Sequence, residues 1–203
     1  MLLTEDKKKL ETYVDKLIEG LKKETAKAKS NGVSGEQLIE KVTNMTVSKL
    51  TPESKMILSS AYNMMMTHTL AEEYFTDSAH KADFYGADIL TELTKKFDFA
   101  VPSEINYEKS NSEVNKMMAS GAVVVVGGIV SITLKSWIPI GIAAVIAGIM
   151  AFVLKNNGRS SSVSNIDTVI NEYYASVKKS LLAWVDSVDN YYDKAVAEIK
   201  ERG

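Results

Sequence analysis

From Met117 to Leu154 the chain runs for thirty-eight residues with one charge, Lys135, set almost at the centre. Eighteen residues precede the Lys135-Ser136 joint and eighteen follow it. As helix, each block would extend about 27 Å, close to the roughly 30 Å hydrocarbon core of a bilayer. The stretch holds twenty-one large apolar side chains, and full burial of such a side chain stabilises by about 2 kcal/mol at most. No other segment matches that drive, so whatever shelters this one decides the fold and the job of the molecule.

Outside the stretch the sequence is highly charged and rich in helix formers, so the ordinary overall balance, 25% charged and 45% hydrophobic, hides a sharp segregation. A net charge of −2 supplies no basic field for nucleic acid. The one basic triplet, Lys7-Lys8-Lys9, is offset by Glu5, Asp6 and Glu11. With no cysteine there is no disulfide framework, thiol nucleophile or cysteine-based metal site. Met1-Leu2-Leu3 leads directly into charged sequence, so the expectation is synthesis in the cytoplasm without a secretory leader, and a leaderless route for any export. Leu2 stands where myristoylation requires glycine. Asn44-Met45-Thr46 reads as a chance glycosylation triplet.

The flanking sequence reads as helices. Thr4 as N-cap, Glu5 and Asp6 in the first turn, and Leu10, Val14, Leu17, Ile18 and Leu21 at helical spacing predict a first helix ending at Asn31-Gly32. Ser34 and Gln37 form a capping box for a second, shorter helix, and Thr51-Pro52-Glu53 signals a third start. From Pro52 to about Phe97 the pattern predicts one long or two consecutive helices, with a bend near Thr76-Asp77-Ser78 or Gly86, followed by a connecting loop to Ser112. After a stop at Lys155 to Ser162, Val163, Ile166, Ile170, Tyr173, Val177, Leu181, Trp184, Val188, Tyr191, Ala195 and Ile199 recur in steps of three and four. That period keeps a single apolar stripe facing a partner along a rod of about 55 Å.

Within the apolar stretch, the capping box Ser110/Glu113 and the matched block lengths favour a helical hairpin. Val123 to Val126 followed by Gly127-Gly128 also fits a β-hairpin with a two-glycine turn. Ser136-Trp137-Ile138-Pro139 suits the start of a helix at a polar boundary. Candidate lipid-contacting residues are Val123, Val126, Ile129, Ile132, Leu134, Lys135, Trp137, Ile140, Ile142, Ile146, Ile149, Phe152 and Leu154. Gly127, Gly128, Gly141, Ala144 and Gly148 are small enough for close helix approach. On the last helix Ile170, Val177, Trp184, Val188 and Tyr191 are candidate packing residues. Lys109, Lys116, Lys155 and Arg159 near the roots outnumber Lys135 at the joint, which puts both arms on the cytoplasmic side if the hairpin spans.

Chemistry is sparse. Glu73, Asp77 and His80 share one helical face, but a carboxylate-bridged di-metal site needs a second Glu-x-x-His, which the other histidine, His68, does not supply. Neither a Gly-x-Ser-x-Gly elbow nor a dinucleotide fingerprint is present, so no enzyme, cofactor or metal is expected. Met64-Met65-Met66 with Met45 and Met56 reads as core filling or as an adaptable surface for a partner helix.

An apolar hairpin between amphipathic helices resembles the α-helical pore-forming toxins, colicin pore domains and long-helix cytolysins among them, the long helix after the hairpin being closer to the cytolysin order. It is also similar in outline to the membrane paddle of bacterial dynamin-like proteins, although the chain has no phosphate-binding loop. The expectation is an all-α protein: a helical arm over 1–109, a membrane-inserting helical hairpin over 110–158 and a C-terminal amphipathic helix over 159–203 packed on the arm. Its expected partners are a lipid bilayer and, through the amphipathic helices, further copies of itself or another protein. Insertion, with a toxin-like pore as one outcome, stands beside a two-span anchor for a cytoplasmic scaffold and a soluble interaction protein that buries the hairpin.

Overall fold

Periodic apolar side chains with charged residues between them give helices that must bury one stripe, and the chain does so by folding them against one another. The computed structural model describes residues 1–97, 106–108, 123–126, 129–132 and 163–202. Its packed body is all helical. α1 (Thr4–Ser30) buries Leu10, Val14, Leu17, Ile18, Leu21 and Ala28, and carries Glu5 and Asp6 at its start and Lys27 and Lys29 at its end, each charge matched to the helix dipole. Leu3, in extended conformation, holds the cap position expected of Thr4. Gly32, at φ +84°, supplies the left-handed residue that closes the helix, and the N–H of Val33 returns to the Ala28 carbonyl at 3.1 Å.

α2 (Gly35–Leu70) is one helix of 36 residues in place of the two expected. Pro52 lies inside it. Leu50, Ser54, Ile57 and Leu58 are buried on either side of the proline, so packing holds the rod together where local signals ask for a start. The Thr51 hydroxyl, expected to cap a new helix, instead donates to the Val47 carbonyl one turn back at 3.0 Å. The chain then breaks at both expected bends. A 3₁₀ turn (Glu73–Thr76) leads to α3 (Ser78–Gly86), N-capped by the Asp77 carboxylate, and α4 (Ile89–Phe97) follows after Asp88 at φ +44°.

α5 (Val163–Arg202) is a 40-residue helix, about 60 Å long. Its contacts fix the packing. Lys7 meets Asp186, Lys178 meets Glu11, Tyr174 meets Thr25 and Lys29 meets Asp167, so α1 and α5 run antiparallel. Tyr192 meets Thr69, and Asp6 on α1 meets His68, so α2 runs parallel to α5 and antiparallel to α1. α4 joins α5 through Phe97 and Tyr191, whose rings lie 5.7 Å apart. More of α5 is buried than the expected stripe: Tyr174, Val185, Tyr192 and Val196 form a second row beside Tyr173, Val177, Leu181 and Val188. A helix with α1, α2 and α4 all packed on it needs the wider face.

Three short strands make up the remainder. β1 (Asn106–Glu108) pairs parallel with β2 (Val123–Val126), and β2 pairs antiparallel with β3 (Ile129–Ile132). The helical reading is therefore corrected to strand for residues 123–126 and 129–132, and β1 falls in the expected connecting loop. Four successive valines explain the change in β2, since β-branched side chains fit a pleated strand better than a helix.

Candidate functional site

Four of the candidate lipid-contacting residues are paired by the hairpin register: Val123 stands opposite Ile132 and Val126 opposite Ile129. Leu134, Lys135, Trp137, Ile140, Ile142, Ile146, Ile149, Phe152 and Leu154 lie outside the described residues, as do Gly127, Gly128, Gly141, Ala144 and Gly148. No helix among the described residues is long and apolar enough to cross a membrane.

On the last helix, Ile170, Val177, Trp184 and Val188 are buried in the common core, and Tyr191 packs at its margin. The Lys96 ammonium donates to the Tyr191 hydroxyl at 2.8 Å and sits 4.2 Å from the ring centre. Sheathing of the apolar stretch by the long helix would require this stripe, and α1, α2 and α4 already occupy it.

Polar groups inside the bundle mark its contacts. Tyr174 donates to the Thr25 hydroxyl at 2.7 Å while Thr25 donates to the Leu21 carbonyl, and the Tyr192 hydroxyl donates to Thr69 at 3.0 Å. Burial pushes both phenols upward from their ordinary pKa. A bond to the Glu53 carboxylate pushes the Tyr13 hydroxyl up to about 12. The Asp189 carboxylate, buried between α1 and α5, accepts the Leu2 N–H at 2.7 Å and the Lys7 ammonium at 3.1 Å. Sequence gave no sign of Asp189, because an acid one residue beyond an apolar stripe looks like any solvated one.

Asp6 read as a first-turn acid, yet it is 4% exposed and joins α1 to the end of α2. Its carboxylate contacts His68 Nε2 at 2.6 Å and accepts from Lys9 at 3.1 Å. Burial alone would raise its pKa, but the bonds from His68 and Lys9 hold it below the ordinary carboxylate range. A depressed carboxylate pKa contributes stability that is present above about pH 4 and is lost as pH falls through the folded value. Asp6→Asn should therefore destabilise the bundle at pH 7 and converge on wild type in more acidic solution. Urea denaturation from pH 7 to pH 3 checks this, and a gap that stays constant would refute it.

Asp77 and His80 serve structure. The Asp77 carboxylate accepts the N–H groups of Ala79 and His80, which lower its pKa, and the His80 ring stacks on Tyr74 with Nδ1 2.9 Å from the Tyr74 carbonyl. Among the described residues no group of three or more acidic or histidine side chains is arranged to hold a metal. Of the methionines, Met65 is fully buried, Met45, Met64 and Met66 pack on the core, and Met56 is exposed.

Among the described residues of the bundle, α4 ends at Phe97, level with Tyr191, and α5 begins at Val163, near the Lys29–Asp167 ion pair. Those two points stand about 40 Å apart along α5 at 1.5 Å per residue. No family model matches the chain, and neither does any curated protein or solved structure.

Proposed function

We propose that this protein is a non-catalytic membrane-inserting protein, in which the Met117 to Leu154 stretch enters the bilayer and the helical bundle stays outside. One observation carries the reading: thirty-eight residues with a single charge, joined to a bundle whose long amphipathic helix is already covered by its own neighbours. The block from Trp137 to Leu154 has no charge and, as helix, the length of one span. On this reading several copies assemble through their inserted segments into a pore. A second reading, a bundle simply tethered to the membrane, draws on the closed packing of α1, α2, α4 and α5, which leaves the arms no need to unfold at the bilayer.

The test is flotation of the full chain with liposomes, combined with release of an entrapped dye. An aspartate at the middle of a span costs about 3 kcal/mol on insertion scales, so Ile142→Asp/Ile146→Asp should weaken insertion by several orders of magnitude. Flotation with dye release, both abolished in the variant, supports the pore. Flotation without release supports the tether, and equal flotation of wild type and variant overturns insertion.

A further inference from the structure

Outside the apolar stretch nearly one residue in three is charged, yet from Met56 to Ala71 sixteen residues pass without an aspartate, glutamate, lysine or arginine. The gap covers the second half of α2, and part of it faces solvent. Ser59, Ser60, Asn63 and Thr67 are exposed, Met56 is 57% exposed and Leu70 is partly buried. Exposed positions on the neighbouring α1 are mostly charged, as Lys8, Glu11, Lys16, Glu19 and Lys23 show. A helix face that meets only water has no reason to shed charge, whereas the centre of an interface does.

The order of side chains along this face is symmetric. Met56, Ser59, Asn63, Thr67 and Leu70 follow in steps of three, four, four and three residues, so all five lie on one side of the helix. From either end the series runs apolar, hydroxyl, amide, hydroxyl, apolar. Antiparallel packing of two copies about a two-fold axis at Asn63 sets Met56 against Leu70 and Ser59 against Thr67, each contact occurring twice. Asn63 then meets itself, and a carboxamide is both donor and acceptor, so two of them pair where two like charges would repel. The Asn63 amide and the Ser59 hydroxyl make no side-chain hydrogen bond among the described residues, and Thr67 uses only its proton, donated to the Asn63 backbone carbonyl at 2.8 Å.

Charges at the two ends of the face agree with that direction. Lys55 is exposed beside Met56 and Glu73 is exposed just past Leu70, and neither enters an ion pair among the described residues. Lys49 is bound to Glu53, Glu72 to Lys200, and Asp6 takes up both Lys9 and His68. Asp77, beyond Glu73, adds to the acidic end while capping α3. An antiparallel pair brings the lysine end of each copy to the acidic end of the other, whereas a parallel pair would set like against like.

We propose that the Met56 to Leu70 face of α2 is a self-association surface, on which a second copy of this chain packs antiparallel about Asn63. The proposal is independent of membrane insertion, because every residue it uses belongs to the bundle. A strip about 21 Å long makes a small contact, so the pair is transient and covalent capture is its natural readout.

The chain has no cysteine, so single cysteines report the register. Two Cα atoms must come within about 7 Å to be bridged. Asn63→Cys, on the axis, should cross-link to its own copy when the full chain is mildly oxidised in a non-ionic detergent. Ser59→Cys lies about 6 Å along the helix from the axis, so its two copies stand about 12 Å apart and should not cross-link. Thr67→Cys should behave likewise alone, but a mixture of the two variants should cross-link. Ala183→Cys, exposed on α5, gives the background rate. Adding Asn63→Asp to both members of the mixture sets two carboxylates face to face and should slow capture about tenfold or more at an unchanged thermal midpoint. Asn63→Cys that cross-links no faster than Ala183→Cys, or a mixture no faster than its two components, overturns the proposal.

Discussion

Leu181→Ala should destabilise the bundle by about 3 kcal/mol and lower the Tm by roughly 10 °C. Leu181 is fully buried on α5 in the core that joins α5 to α1 and α2. Truncation removes three heavy atoms from the middle of a rigid helix flanked by Val177, Trp184 and Val185, all buried, so neighbours have little freedom to close the gap. Thermal unfolding followed by circular dichroism measures the effect. A loss under about 1 kcal/mol would mean that α5 is held more loosely than the packing indicates. Leu182→Ala, one residue on and only partly buried, provides the contrast and should cost clearly less.

Replacing residues 110–158 by about twenty Gly/Ser residues should leave the bundle folded and remove salt-resistant vesicle binding altogether. The replacement leaves roughly thirty-six residues between Phe97 and Val163, with a mean flexible span of about 33 Å that suits the 40 Å gap. Helical circular dichroism and flotation decide the matter together. A shortened chain that unfolds or precipitates would show that the apolar stretch completes the core. A folded one that still binds neutral vesicles would locate lipid contact in the bundle.

Helix period and capping made α1 and α5 legible in the sequence, because both elements present a single sustained stripe and definite stops. α2 was harder: Thr51-Pro52-Glu53 is a genuine local start signal, and only tertiary burial of Leu50, Ile57 and Leu58 overrides it. Asp77 and Asp88 mark bends through capping and positive φ, features that short polar residues announce less firmly than glycine or proline. Within Val123 to Ile132, apolar length argued for helix and side-chain branching for strand. Length cannot arbitrate between the two in an uninterrupted apolar run. The buried carboxylates of Asp6 and Asp189 escaped notice because their partners, His68 and the Leu2 amide, are far away in sequence.

Pro52 has one more effect. Lacking an N–H, it leaves out the rung that would reach the Ser48 carbonyl, so α2 is continuous by packing but divided in its hydrogen-bond ladder. Amide exchange in its two halves need not be concerted. The half before Pro52 lies toward the close of α1, and the half after it is anchored through His68 and Thr69. Fraying of the first half can thus loosen the end formed by the close of α1 and the start of α5 while the far end stays shut, which gives the molecule a built-in order of opening.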